Sequence, residues 1–172
     1  RWVNLSDKIK IFCITTVIQD AILLVDVNGH LFVNLNDAGT KGCTRLVKSI
    51  CKNYKCSYLL SLSGYGDADM INFFDEDGNF IEPSAATNTR VGEHLSGMAN
   101  SLGIRNVIPF SSFHDYQRED SAWARKYKAP LSAYQVGFSQ KLNFIPPFAI
   151  VDCATDEISH TDVKEKSTIL VS

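Results

Sequence analysis

Asn28-Gly29 stands between two apolar, β-rich runs, Asp20 to Val27 and His30 to Asn36, and no other feature of the chain narrows its possible folds as much. A two-residue type I′ turn needs positive φ at both central positions, and Asn-Gly is the pair that supplies it most readily. The runs therefore form a β-hairpin, and Asp37 falls at the carboxyl end of its second strand. In α/β enzymes that edge gathers polar chemistry, and the small pair Ala38-Gly39 leaves space there for a ligand or metal.

The flanking sequence alternates strand and helix signals. Lys8 to Thr15 alternates polar and apolar residues as a half-buried strand does. Between Thr40 and Lys55, Leu46, Val47, Ile50 and Cys51 recur at helical spacing with Lys and Arg opposite, the pattern of a helix covering a sheet. Cys56 to Leu62 reads as a buried strand opening into the loop Ser63-Gly64-Tyr65-Gly66. Val91, Leu95, Met98, Ala99 and Leu102 make a second helical stripe, with Gly103 placed to follow its C-cap. A strand from Asn106 to Pro109, a polar helix near Asp120 to Tyr127, a break at Pro146-Pro147 and a strand from Phe148 to Val151 complete the order, before a polar stretch and Thr168 to Val171. Helices alternating with short strands predict an α/β fold, and the leading hairpin makes its sheet mixed.

With 172 residues, one domain spanning residues 1–172 is expected. No apolar run approaches the roughly 20 residues of a membrane helix. A formal charge of −2 argues against nucleic-acid binding, which calls for clustered Lys and Arg. Five sparse cysteines without a C-x-x-C pair indicate neither a disulfide framework nor a cysteine zinc site, and fit the reducing cytoplasm. The chain opens at Arg1 in strand-like sequence, without an initiator Met or a signal-peptide pattern, and reads as a piece of a longer protein.

Two polar residues follow predicted strands: Asp37 after HLFVNLN and His114 after NVIPFSSF. Strands aligned side by side would bring this carboxylate and imidazole to one sheet edge, a donor pair that zinc and iron both accept. The structural alternatives are a turn-forming or capping Asp and an ordinary loop His. His30 beside the tight turn reads as a solvated edge residue, and His94, at the border of the second helical stripe, as a partly buried structural one. Asp75-Glu76-Asp77-Gly78 lacks the EF-hand spacing and predicts a hairpin turn between Phe74 and Phe80. No G-x-S-x-G, G-x-G-x-x-G or Walker A segment occurs.

The succession DAILLVDVNGHLFVNLNDAG, LSLSGYGDA and NVIPFSSFHDYQREDSAWA, spread over roughly Asp20 to Asp152, resembles the C-terminal half of metallo-β-lactamase-fold proteins, in the branch that includes CMP-N-acetylneuraminate hydroxylase. The resemblance implies mixed sheet layers with covering helices, forming half of an αββα sandwich. It also implies a one- or two-metal site in which Asp37 matches the bridging carboxylate and His114 the late His ligand. Ser63, Gly64, Tyr65, Asp67 and Ser112 would line the pocket of a small-molecule substrate. The H-x-H-x-D-H motif of such proteins is absent, and no His lies near Gln19-Asp20 where a further ligand often stands. The chain thus holds at most two of the pattern's ligands, so its site for a divalent zinc or iron is incomplete. The missing N-terminal half becomes the expected partner. Three readings follow: part of a metal-dependent hydrolase, part of an iron-dependent hydroxylase, or a non-catalytic interaction module. A lone half-sandwich would expose a sheet face and edge, and so would self-associate as a homo-oligomer or need its partner.

Overall fold

A computed structural model describes residues 1–17, 20–62, 73–83, 90–110 and 116–161. The predicted hairpin is present, with strands β3 (Ala21–Val27) and β4 (His30–Asn36). Asn28 and Gly29 take φ of 51° and 85°, the left-handed pair that the turn requires. Preceding it are the short β1 (Val3–Asn4) and β2 (Ile9–Thr15), so β1 to β4 form an antiparallel meander.

At β4 the pairing changes sense. Helix α1 (Thr44–Cys51) carries the chain to β5 (Cys56–Leu62), and α2 (Val91–Leu102) leads to β6 (Asn106–Phe110). β4, β5, β6 and the two-residue β7 (Asn143–Phe144) pair in parallel, since helical crossovers return each strand in the same direction. Among the described residues, seven strands thus form one mixed sheet in sequence order, as expected of an α/β chain. The polar segment after β6 makes two 3-10 turns, Ala122–Tyr127 and Leu131–Gln135, and β8 (Ala149–Val151) pairs with β9 (Ile158–His160) in a separate hairpin.

The helices cover one face of the sheet. Leu24, Leu31, Val33, Leu35, Leu59 and Val107 point into that layer and are wholly excluded from solvent. Val47 of α1 and Leu95, Ala99 and Leu102 of α2 meet them in one apolar cluster. Leu46, expected on the α1 stripe, is 47% exposed, because the helix turns Val47 and Cys51 inward instead. His94 likewise faces solvent, while Val91, Leu95 and Ala99 take the buried face.

Gly92 explains how the second 3-10 turn seats on α2. A Cβ there would lie 2.1 Å from the Val136 carbonyl oxygen and 2.8 Å from that of Tyr134, so only glycine permits this approach. Gly103 ends α2 in the left-handed conformation, as its sequence position predicted.

The opposite sheet face differs in its burial. Register places Cys13, Leu23, Asn34, Leu60 and Ile108 in one row across it, and Ile11, Val25, Phe32 and Tyr58 in the next. Tyr58 is buried, whereas Leu23, Val25, Phe32, Leu60 and Ile108 are only half-buried and Cys13 is exposed. The β8–β9 hairpin shields one corner of this face. There Asn28 Nδ2 donates to the Cys153 carbonyl at 2.9 Å, and the His30 imidazole pairs with Asp156 and stacks on Tyr58. His30 is consequently 8% exposed, not the solvated edge residue that the sequence suggested, since its cover comes from a distant hairpin. Among the described residues, no helix is long and apolar enough to cross a membrane.

Candidate functional site

Asp37 stands where the sequence put it, immediately beyond β4 at the carboxyl edge of the parallel strands. The approach to it is irregular. β4 pairs with β5 in register up to Asn34–Leu60, then slips so that Asn36 aligns with Ser61. This irregularity coincides with a left-handed Asn36, φ 47°, whose backbone N–H donates to the Asn34 side-chain oxygen at 2.9 Å. Irregularities of this kind bend a strand and re-aim the next side chain, and they recur beside active sites.

The bend leaves Asp37 exposed while Ala38 tucks under the sheet, its N–H donating to the Leu35 carbonyl at 2.8 Å. Asn36 Nδ2 donates to Asp37 Oδ1 at 2.8 Å. One carboxylate oxygen is thereby oriented, and among the described residues the other has no hydrogen-bond partner.

Two further strands end at the same edge. Leu62, the last residue of β5, pairs with Phe110, the last of β6. Neighbouring strands lie about 4.8 Å apart, so the chain leaves β4 and β6 at points separated by roughly 10 Å. Ser63, Gly64, Tyr65, Asp67, Ser112 and His114 follow these ends and lie outside the described residues. Among the site residues named from sequence, Asp37 is the one within them.

A cluster that the sequence reading missed joins the segments beyond those ends. Phe74 bridges Phe80 in the predicted turn, where Asp75 accepts the Asn79 N–H at 2.7 Å; this hairpin takes the place of a calcium loop. Phe73 stacks on Phe80 with ring centroids 6.1 Å apart and meets the edge of Trp123 at 4.8 Å. Tyr127 donates its hydroxyl to Glu82 at 3.1 Å, and the Lys126 ammonium lies 4.7 Å from the Tyr127 ring centroid. Aromatic periodicity could not reveal this contact, because its members come from two irregular segments.

At the other end of the sheet, Asp26 is a buried carboxylate with three donors: Tyr54 Oη at 2.8 Å, the Gly29 N–H at 2.9 Å and Lys10 Nζ at 3.1 Å. Burial alone would raise its pKa, yet these donors together hold it below the usual carboxylate range. Burial also pushes the Cys51 thiol up to about 11, which keeps it protonated and unreactive. All five cysteines are free.

For a metal, the described donors at the Asp37 edge amount to one carboxylate, and no group of three His, Cys, Asp or Glu side chains among the described residues is placed to hold an ion. A catalytic zinc takes three protein ligands plus water, so these residues do not by themselves fit one. No protein-family model matches the chain, and no curated protein matches its sequence.

Proposed function

We propose that this chain supplies one sheet-and-helix layer of an αββα sandwich of the metallo-β-lactamase type, with Asp37 as its contribution to a metal-dependent hydrolase-like site. The two-sidedness of the sheet carries the proposal: one face is sealed by α1 and α2, while the other is apolar, half-buried and covered at one corner by the β8–β9 hairpin. Sheets with an apolar inner face pack on a second sheet about 10 Å away, and such a layer would cover Cys13, Leu23, Val25 and Phe32. The bent, exposed Asp37 at the carboxyl edge supports a ligand role, with the remaining ligands drawn from the partner layer and from the segment containing His114.

Three measurements test this reading. Alkylation of Cys13 should be fast in the 172-residue chain and slowed at least tenfold in the full-length protein, while buried Cys43 and Cys51 stay unlabelled in both. Elemental analysis of the full-length protein should find zinc or iron, reduced by Asp37→Asn. Equal Cys13 reactivity in both forms would sink the sandwich, and a monodisperse, cooperatively folding monomer of the 172-residue chain would count against it. The lack of a converging ligand set among the described residues favours a second reading, a non-catalytic interaction module. Metal-free full-length protein with Cys13 protected would establish that alternative.

A further inference from the structure

At the sheet edge opposite Asp37, the ends of α1 and α2 and the starts of β5 and β6 enclose a cleft of about 450 Å³. Four cations line it: Lys48, Lys52, Lys55 and Arg105. All four are exposed, no carboxylate lines the cleft, and among the described residues none of the four is paired with an acid. That concentration is unusual in a chain with a formal charge of −2.

The floor is fixed by an amide relay. Asn143 Nδ2 donates to Asn106 Oδ1 at 3.0 Å, and Asn106 Nδ2 donates to the Ser57 carbonyl at 3.1 Å. Gly103 forms part of the rim with no side chain to obstruct it.

The ordinary role for Lys near a helix C-terminus is to offset the partial negative charge there, about −0.5 per helix. Two helix ends offset about one of the four positive charges. Roughly three remain, which matches the charge of about −3 that two phosphate groups sharing a bridging oxygen carry near neutral pH. The cations come from three places around the cleft, α1, the turn into β5 and the turn into β6, which suits an anion with two charged groups better than a single tetrahedral one.

We propose that this cleft binds a compact diphosphate-type anion. It is a separate site from the Asp37 edge, because the seven residues of β5 span about 20 Å between them. The ligand is therefore an anchor or effector, and the proposal stands whether or not Asp37 binds metal.

The test is calorimetric titration of inorganic pyrophosphate into the protein at a constant ionic strength of about 0.15 M, with sulfate in a parallel series. Pyrophosphate should bind at least tenfold tighter than sulfate, and in NMR should shift the side-chain amides of Asn106 and Asn143. The double variant Lys52→Gln, Arg105→Gln should lose at least tenfold in affinity. Lys41→Gln, at the other end of α1, should bind as the parent does. Equal binding of pyrophosphate and sulfate, or an unaffected double variant, would overturn the proposal. So would a short single-stranded oligonucleotide that outcompetes pyrophosphate, since that outcome makes the cleft a nucleic-acid track.

Discussion

Replacing Asp26 by Asn tests the main electrostatic claim about this fold. The carboxylate side chain is 9% exposed and accepts from Tyr54, Gly29 and Lys10. Lys10 is 41% exposed, so its share is that of a surface pair, up to about 1 kcal/mol. The Tyr54 and Gly29 bonds are part-buried and end on a charge, worth about 1.5–3 kcal/mol each. Asn keeps one acceptor oxygen and turns an NH2 toward the other donors. The substitution should therefore cost about 2–4 kcal/mol at neutral pH. The pH dependence gives a sharper test. The Asp26 pKa is lowered in the folded state, so its contribution is complete above the unfolded value near 4 and is lost as pH falls through the folded value. Urea unfolding followed by Trp fluorescence between pH 7 and pH 2 should show the wild-type advantage over Asp26→Asn shrinking in acid. Other carboxylates with lowered pKa, among them Asp120 and Asp152, titrate in both proteins and cancel in the difference. A gap that stays constant to pH 2 would refute the assignment of an anionic, donor-held Asp26.

Gly92→Ala sets two effects against each other. Helix propensity favours Ala by about 1 kcal/mol, but a Cβ 2.1 Å from the Val136 carbonyl must push the 3-10 segment off α2, and the variant should be about 1–3 kcal/mol less stable in urea. His30→Ala should free the β8–β9 hairpin without unfolding the sheet: amide exchange in β8 and β9 should speed by about tenfold while β3 and β4 stay protected, and uniform loss of protection would mean that His30 supports the core instead.

Where the structure follows the sequence, the controlling physics is local. Asn28-Gly29 specifies a turn by its own backbone preferences, Gly103 ends a helix by its own φ, and the apolar stripe Val91, Leu95, Ala99, Leu102 fixes which way α2 faces. Where the two part, the cause is a partner far along the chain. His30 looks like an edge residue until Asp156 and the hairpin around it are placed on top. Asp26 sits in an alternating run where nothing local announces that Tyr54 and Lys10 will meet it. β7 and β9, with two and three residues, are too short to carry a periodic signal. Of the site, the position of Asp37 was legible, because strand ends can be read from pattern. The bend at Asn36 that aims it depends on slippage against β5, which no single strand encodes.

The two ends of the parallel strands divide the chemistry between them. At the amino ends, helix C-termini converge, and the chain places Lys48, Lys52, Lys55 and Arg105 there. At the carboxyl ends, β5 and β6 stop together and β4, past its register slip, presents the exposed Asp37. A parallel sheet gives every strand the same polarity, so the exits of β4, β5 and β6 must share one edge whatever the loops beyond them contain. That constraint puts the end of β6 within about two strand spacings of the end of β4. Under the proposed sandwich, a ligand held by Asp37 would lie between this edge and the layer that would cover Phe32 and Leu60, the side chains that β4 and β5 turn to the open face. If the proposed second layer packs on that face, a charge placed in its middle, as in Val25→Glu, would oppose the packing while leaving Asp37 itself untouched, and Cys13 would then alkylate as fast in the full-length protein as in the 172-residue chain.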